Sequence, residues 1–262
     1  MIKRVVLIGG GAVAEALGRK LSEVGLLSAV WCRDGKRAAE LATNFGVECC
    51  ADLESVTDAD LYLISVSDRA IEQVSRQLKV KPGSLVVHTA GSRSSEEIHC
   101  EGAVRGIFYP LQTFTKGRSI DFAEVPIMVE SDERTEELAA VAEQISQNVI
   151  RSNFEMRRMY HLAAIFACNF VNRMYVAAQE IAQIGGIDSR MLNPLIAETA
   201  QKALESPDAR ALQSGPAARG DMATIENHLL LLEQFAPQWR DVYELISNKI
   251  TNEKLKGGYC TG

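Results

Sequence analysis

The opening residues of the chain constrain its fold more than any other stretch. Four apolar residues, 5–8, run directly into the three glycines at 9–11, and a helical pattern of apolar residues follows at once. This order predicts a buried parallel strand, a tight turn and the start of a helix. Residues 9–14 read Gly-x-Gly-x-x-Ala, which is the dinucleotide fingerprint in its Ala-ending form, in the strand–turn–helix context that it requires.

The small residues of this turn have separate physical roles. Gly9 permits the sharp turn out of the strand, and Gly11, which lacks a Cβ, lets a pyrophosphate approach the backbone and the free N–H groups of the helix N-terminus. Ala14 lets the helix pack closely on the strand. The alternative is a tight turn that binds nothing. We predict a cofactor-binding turn that consists of Gly9, Gly10, Gly11, Ala12, Val13 and Ala14.

The end of the second predicted strand selects between the two nicotinamide cofactors. An acidic side chain there accepts hydrogen bonds from the ribose hydroxyls of NAD, whereas an arginine pairs with the 2′-phosphate of NADP. The sequence places Arg33 at this end, with Lys36 and Arg37 close behind and Asp34 just past it. This arrangement favours NADP(H) over NAD, with Arg33 on the 2′-phosphate. In the alternative interpretation, the arginines are solvated charges at the start of a helix.

Two further strand ends face the same edge of the predicted sheet. One strand ends in Val66 and Ser67, and the next ends in small polar residues that include Thr89. The carboxyl ends of the strands face the cofactor in a doubly wound sheet, so we expect these three residues along its nicotinamide side. His88 is more typical of a hydrogen-bonded structural histidine than of a catalytic one.

The pattern of predicted secondary structure changes near residue 153. Before that point, alternating strands and helices predict an α/β fold with a parallel, doubly wound sheet. Beyond it there are no further β-branched runs, and residues 155–184 form one long helical pattern that stops at two glycines. We predict an N-terminal doubly wound Rossmann domain over 1–153 and a C-terminal all-α helical domain over 154–262, with the last helix ending near Ile250.

The long helical pattern is apolar nearly all round, which predicts burial on several sides. A helix of this kind in a small domain invites a partner subunit, so we predict a homodimer through the helical domain. The alternative is a solitary core helix. Helical spacing places His161, Cys168 and Asn172 on one stripe, with Asn169 beside it. Buried polar groups need partners, so these residues either satisfy one another or line a polar cleft, and we favour the cleft.

A rigid loop precedes the helix that starts near Thr224. Residues 214–221 contain a Gly-Pro pair and then Arg-Gly-Asp. Such a loop beside a helix start suits a substrate clamp, and we predict that Arg219 holds a carboxylate bidentately.

Composition excludes several classes of function. A net charge of -6 and a pI near 5.4 argue against nonspecific nucleic-acid binding. No apolar run approaches the roughly 18 residues that a membrane span requires. The six cysteines form no CxxC pattern, and no signal peptide precedes the first strand, so reduced thiols in a cytoplasmic protein are expected. We predict a small-molecule substrate and no metal site.

These stretches together resemble a known protein family. It pairs a Rossmann-like NADP-binding domain with a C-terminal helical domain of unknown function, and it is related to ketopantoate reductase, pyrroline-5-carboxylate reductase and the β-hydroxyacid dehydrogenases. The resemblance covers nearly the whole chain and implies an NADP(H)-dependent oxidoreductase. The matching blocks lie at residues 9–14, 65–68, 88–91, 109–114, 160–161, 214–221 and 228–229.

One position departs from the related enzymes. The β-hydroxyacid dehydrogenases and ketopantoate reductase carry a catalytic lysine on the first long helix of the second domain, with an asparagine one turn later. The corresponding helix here has no lysine after Glu155. Tyr109 also stands where the family has histidine more often. A mechanism with lysine as the acid therefore does not carry over.

The leading hypothesis is a reductase that acts on the C=O or C=N bond of a small carboxylated metabolite. His161 supplies the proton in this hypothesis, Asn169 or Asn172 orients the substrate carbonyl, and Arg219 holds the carboxylate. A second hypothesis, motivated by the absent lysine, is a non-catalytic NADP-binding protein that senses redox state or serves as a scaffold. A third is hydride exchange with a deazaflavin, which the aromatic content of 6% does not support.

Overall fold

The computed structural model describes residues 1–54, 56 and 58–256. The first part of the chain alternates strands with helices, which confirms the α/β prediction. Its strands are β1 Val5–Ile8, β2 Leu27–Trp31, β3 Glu48–Cys49, β4 Leu61–Ile64, β5 Leu85–His88, β6 Val104–Pro110, β7 Ile127–Ser131 and β8 Val149–Arg151. Its helices are α1 Ala12–Glu23, α2 Gly35–Phe45, α3 Ile71–Gln77 and α4 Thr135–Ala142.

The described chain beyond β8 contains helices and no strand, which confirms the helical C-terminal region. Its helices are α5 Phe154–Ala164, α6 Val171–Ile184, α7 Asn193–Glu205, α8 Pro216–Arg219, α9 Met222–Phe235 and α10 Arg240–Lys256. By their contacts the residues divide into two compact units, Met1–Cys168 and those from Asn169 onward. Helix α5 therefore belongs to the same compact unit as the sheet. The functional boundary between residues 153 and 154 stays a prediction.

The strands form one eight-stranded sheet in the order β3-β2-β1-β4-β5-β6-β7-β8. All neighbouring strands are parallel except β6 and β7, which are antiparallel. The prediction of a parallel sheet is wrong at this pair. A parallel return needs a long crossover, usually a helix. The segment between β6 and β7 contains only a single 3₁₀ turn, Phe122–Glu124, so the chain reverses its direction instead.

Both faces of the sheet are covered by apolar side chains. Val5 and Leu7 of β1 point into one buried cluster, which includes residues of α1, α2 and α4. Val6 and Ile8 point into a second cluster on the opposite face, with Ile71 of α3. This alternation, with all four residues buried, explains why the strand reads as an uninterrupted apolar run. Burial on both faces fixes the strand ends, and therefore the loops that follow them.

The long helix is continuous but not uniform. Residues Ile165–Phe170 wind as a π-helix between α5 and α6. A π turn holds one residue more per hydrogen bond than an α turn, so α-helical angles do not apply across it. The single stripe predicted for His161, Cys168 and Asn172 is therefore not supported. Burial on several sides and a solitary core helix are both wrong for the single chain, because large apolar side chains of the helix are exposed: Met159, Leu162, Phe166 and Ile181.

The second unit has a small core of its own. Leu232, Ala236 and Trp239 are buried, and side chains of α6 and α10 pack against them. The indole N–H of Trp239 donates to Glu180 Oε2 at 2.7 Å, and the guanidinium of Arg173 lies 4.6 Å from the indole ring. These contacts attach α6 to the C-terminal part of the chain.

Helix α10 is longer than predicted. It continues to Lys256 instead of ending near Ile250. Thr251 supports the extension because its hydroxyl donates to the carbonyl of Ser247, one turn earlier. The sequence also predicts a loose tail over Thr251–Gly262, which is wrong for residues 251–256, and residues 257–262 lie outside the described residues. Within those residues, no helix is both long and apolar enough to cross a membrane.

Candidate active site

The turn after β1 leaves no room for a side chain at its first glycine. Gly9 has a φ of 147°, and a Cβ built on it lies 2.0 Å from the backbone oxygen of Ser65. Gly11 differs, since a Cβ built there meets no atom within 4 Å. It is the N-cap of α1, and no side chain caps that helix end. The first N–H groups of α1 therefore face an open space that suits an anion.

A cavity of about 800 Å³ lies along the carboxyl ends of β1, β2 and β4. This volume is ordinary for a small-molecule or cofactor site, and the open glycine turn at its wall fits a pyrophosphate. Ala14 is buried beneath the turn instead of lining the cavity. The other predicted cofactor residues all line it: Gly9, Gly10, Gly11, Ala12, Val13, Arg33, Val66, Ser67 and Thr89.

Two residues after β2, Asp34 and Arg33, could contact the adenosine ribose of the cofactor, and their surroundings differ. Asp34 caps α2, because its Oδ1 accepts the backbone N–H groups of Lys36 at 3.0 Å and Arg37 at 3.3 Å. Asp34 lines the cavity as well, but its Oδ1 is engaged in capping the helix. Arg33 is exposed on the cavity wall, and no described residue forms an ion pair with it. The geometry agrees with a 2′-phosphate reader.

Sequence analysis gave Arg37 no role inside the fold. Its Nε donates to the carbonyl of Gly10 at 3.3 Å, and its guanidinium pairs with Glu15 at 2.5 Å and Glu40 at 2.8 Å. Arg37 therefore braces the glycine turn. Glu15 could have indicated this role from the sequence. It is an acidic residue in the first turn of a helix that is expected to face phosphate, and a carboxylate in that position needs a cation nearby.

Hydrogen bonds hold the ends of β4 and β5 in place. The hydroxyl of Thr89 donates to Ser65 Oγ at 3.3 Å. His88 is fully buried, its Nδ1 accepts the N–H of Ala90 at 3.2 Å, and its Nε2 donates to the carbonyl of Ser94 at 3.0 Å. Burial lowers the pKa of His88 to about 4. Both ring nitrogens are occupied, so His88 is a neutral structural residue that shapes the loop after β5.

His161 lies on α5 and hydrogen-bonds to a residue that sequence analysis left out of the site. Its Nδ1 is 3.1 Å from the hydroxyl of Tyr109 on β6. The two rings meet edge to face, with centroids 6.1 Å apart. Gly91 packs against this pair so closely that a Cβ on it would lie 2.6 Å from Tyr109 Cζ and 2.9 Å from His161 Nδ1. Because Gly91 is two residues after Thr89, the pair borders the strand-end loop that helps to form the cavity.

A buried arginine anchors α5 beside this pair. Arg157 is fully buried, forms an ion pair with Glu130 of β7, and donates from its Nη2 to the carbonyl of Arg93 at 2.6 Å. Burial lowers the pKa of Arg157, and the charge of Glu130 opposes that shift. The positive charge of Arg157 lies close enough to lower the pKa of Tyr109, although burial raises it overall.

The remaining predicted site residues lie in the second unit. Asn169 is in the π segment and Asn172 in α6, and both are exposed. Arg219 is the exposed last residue of α8, and the charge of Arg219 lowers the pKa of Asp221 less than the hydrogen bonds from Thr224 do. The first unit thus places His161 against Gly91, next to the loop whose residue Thr89 lines the cavity, whereas these three belong to a separate compact unit.

The cysteines and acidic residues form no further chemical centre in the part of the chain that the structure describes. No group of three or more potential metal ligands occurs there. The described cysteines are free thiols, and Cys260 lies outside the described residues.

Comparisons with known proteins support an oxidoreductase family. Residues 4–91 match the family described as NADP oxidoreductase coenzyme F420-dependent, and residues 125–250 match a domain of unknown function, DUF2520. The crystal structure of a "putative NADP oxidoreductase" from Bacteroides fragilis is 36% identical, with a TM-score of 0.87, over 95% of this chain and 98% of that one. The chain belongs to the same family.

More distant structures share the fold of this NADP oxidoreductase family. A protein from Thermotoga maritima is 23% identical over 95% of this chain and 97% of its own, with a TM-score of 0.73. A reductive aminase from Aspergillus terreus, solved with NADPH and ethyl levulinate, is 14% identical over 97% of this chain and 95% of its own, with a TM-score of 0.74. None of the curated proteins matches the chain. Family membership confirms the resemblance described above and the prediction of NADP(H) as the cofactor.

Proposed function

We propose that the protein uses NADPH to reduce the C=O or C=N bond of a small carboxylated metabolite. The position of His161 carries the proposal. The Nδ1 of His161 hydrogen-bonds to Tyr109 beside the loop after β5, whose first residues line the cofactor cavity. No described residue is bonded to its Nε2, so this nitrogen is available to a substrate.

The residues of the first unit have distinct tasks in this proposal. NADPH, when bound, supplies a hydride to the substrate carbon. The glycine turn at residues 9–11 and the N-terminus of α1 hold the pyrophosphate, and Arg33 holds the 2′-phosphate. Val66, Ser67 and Thr89 border the nicotinamide. His161 gives a proton to the substrate heteroatom from its Nε2, the ring nitrogen that no described residue occupies.

Three further residues have polar side chains suited to substrate orientation. Asn169 and Asn172 carry amide donors suited to a carbonyl oxygen. The exposed guanidinium of Arg219 is suited to a bidentate contact with a carboxylate. These three assignments remain proposals that rest on residue chemistry.

The experiment begins with a fluorescence titration of the purified protein with NADPH and NADH. Loss of NADPH absorbance is then followed with a panel of small keto acids, their methyl esters and cyclic imines. Faster turnover of the free acids than of the esters supports the proposal. Tight NADPH binding without turnover of any compound contradicts it, and would favour the non-catalytic redox-sensing or scaffold alternative.

The Arg33→Ala substitution tests the choice of cofactor. We expect the Kd for NADPH to rise at least tenfold, because a charge-assisted hydrogen bond contributes about 1.5–3 kcal/mol. The Kd for NADH should stay unchanged, since it has no 2′-phosphate. Arg76→Ala, at an exposed arginine paired with Glu72 on α3, is the matched control. Equal weakening of both cofactors in Arg33→Ala would show that this side chain does not read the phosphate.

We also propose that the protein is a homodimer through its helical region. The buried cluster of the second unit is small, while its helices expose large apolar side chains. Exposed apolar patches of this kind mark protein interfaces. The most exposed of these side chains on α7, α9 and α10 are Leu195, Leu204, Leu230 and Leu245. The predicted cytoplasmic location remains a prediction.

The Leu230→Glu substitution tests the dimer by light scattering coupled to size exclusion. Leu230 is 64% exposed in the single chain, so the substitution leaves its fold intact. In a dimer it buries a charge without a partner, and we expect the measured mass to fall from two chains to one. Gln144→Glu adds the same charge at an exposed position of the first unit, outside the proposed interface, and should remain dimeric. A monomeric wild-type protein would contradict the proposal.

A further inference from the structure

Tyr109 and His161 form a hydrogen-bonded couple, and the geometry of this bond indicates which nitrogen of His161 carries the proton. Tyr109 is half-buried on β6, and its hydroxyl has one hydrogen-bond partner among the described residues, the Nδ1 of His161. A buried hydroxyl that donates to nothing is costly. The O–H of Tyr109 therefore donates to Nδ1, and the neutral imidazole carries its own proton on Nε2.

We propose that Tyr109 is the positioning residue behind His161 and the source of its proton, in a relay suited to a carbonyl oxygen. This inference rests on the proposed reductase function. As the substrate carbon gains a hydride, its oxygen becomes an alkoxide and forms a bond to the proton of Nε2. The Nε2–H bond breaks while Nδ1 takes the proton of Tyr109. The imidazole stays neutral, and the phenolate later regains a proton from water.

The surrounding charges support a phenol that gives up its proton only to a strong base. Burial raises the pKa of Tyr109, and the carboxylate of Asp68 raises it further, whereas the guanidinium of Arg157 lowers it. Arg157 has its own counter-charge in Glu130 of β7, and its buried Nε has no hydrogen-bond partner. The phenol thus stays protonated at neutral pH, with a cation behind it when it ionises.

Other titratable groups around the couple do not replace this route. His88 is neutral and bonded at both nitrogens. Arg93 forms ion pairs with Asp68 and Glu97. Gly91 packs directly on both rings, and a side chain at this position would collide with them.

The relay favours carbonyl over imine substrates. A carbonyl oxygen needs a proton when its carbon accepts a hydride, because the alkoxide is a stronger base than a phenolate. An iminium substrate already carries its proton. The couple therefore has a proton to deliver to a carbonyl oxygen and none to deliver to an iminium nitrogen.

The first arm of the test needs no substrate. Long-range ¹H–¹⁵N spectra of the protein, with the signals of His161 assigned by their loss in His161→Ala, report which nitrogen carries the proton. We expect the Nε2–H form in the wild-type protein and loss of that preference in Tyr109→Phe, with Tyr160→Phe as the matched control on α5. An Nδ1–H form in the wild-type protein overturns the relay, because Tyr109 would then be the acceptor.

The second arm is the pH profile of kcat with the carbonyl substrate that the panel identifies. The wild-type rate should change little between pH 6 and pH 9, since the phenol holds the transferable proton throughout. Tyr109→Phe has no phenol to replace the proton that Nε2 gives up, so we expect its rate to be lower than the wild-type rate and to fall as the pH rises. Tyr160→Phe should follow the wild-type profile.

The two arms separate the relay from the proposed function. Identical pH profiles for Tyr109→Phe and the wild-type protein overturn the relay while the reductase function stands. Turnover of cyclic imines but not of carbonyls overturns the substrate class of the relay. If no compound is reduced, the proposed function fails, and the spectra still decide whether Tyr109 fixes the tautomer of His161.

Discussion

Replacement of His161 by alanine is expected to lower kcat by about 10²- to 10⁴-fold, the usual contribution of a positioned proton donor. The Kd for NADPH should remain at its wild-type value, because His161 contacts the Tyr109–Gly91 region and not the cofactor cavity itself. Stopped-flow absorbance measures the chemical step, and fluorescence titration measures the binding.

The control for His161 is a histidine of the same unit outside this region. His99 is partly exposed and lies 3.8 Å from Glu72. His99→Ala should leave both kcat and the Kd for NADPH unchanged. An undiminished rate in His161→Ala with the true substrate would remove His161 from the mechanism. A parallel loss of NADPH affinity would instead indicate that the substitution disturbs the fold of the cavity.

The second large effect is expected at the glycine turn. Substitution of Gly9 should lower the stability of the fold, whereas substitution of Gly11 should lower the affinity for NADPH. Gly9→Ala places a Cβ against the backbone oxygen of Ser65, in a φ region that side chains rarely adopt. The neighbour is backbone and cannot rotate away. We expect the free energy of unfolding to fall by about 2 kcal/mol or more, as for other strained or overpacked positions, in urea titrations.

Gly11→Ala serves as the matched variant within the same turn. A Cβ there meets no protein atom within 4 Å, so stability should stay within about 0.5 kcal/mol of wild type. The added methyl group instead fills the space through which a pyrophosphate approaches, and the Kd for NADPH should rise at least tenfold. Wild-type affinity in Gly11→Ala would mean that the pyrophosphate lies elsewhere.

The parts of the molecule that follow from local sequence could be predicted. The turn at Gly9 and Gly11 needs only a strand, three small residues and a helix start within a short stretch, and each element constrains the next. The position of Asp34 as a helix cap, past the strand end, also follows from local chemistry. Such features depend on neighbours in the chain, so a single sequence contains the information.

The Tyr109–His161 couple could not be predicted in this way. The two residues are far apart in sequence, on β6 and α5, and meet only because of the sheet order and the path of α5. The ion pair between Arg157 and Glu130 could not be predicted either, since an arginine in an amphipathic helix is normally interpreted as a solvated charge. Gly91 was a possible signal, because a glycine next to strand-end polar residues indicates a close approach by another part of the chain.

Two irregular features of the fold differ from the regular geometry that the sequence predicts. The antiparallel entry of β7 depends on the absence of a crossover helix before it, which apolar patterning does not reveal. The π segment at Ile165–Phe170 has no distinctive composition, yet it changes which side chains share a face after His161. The α-helical spacing of three and four residues therefore does not relate His161 to side chains beyond Phe170.

The buried ion pair of Arg157 sets the axial position of α5. Arg157 precedes His161 by one helical turn, which corresponds to about 5.4 Å along the axis. Apolar contacts alone tolerate small sliding motions, but a slip here would separate a fully buried guanidinium from its counter-ion at a cost of about 3–5 kcal/mol. His161, the proton donor in our proposal, is therefore held at a fixed position along the helix axis by a residue of the sheet, Glu130, that the proposed mechanism does not otherwise use.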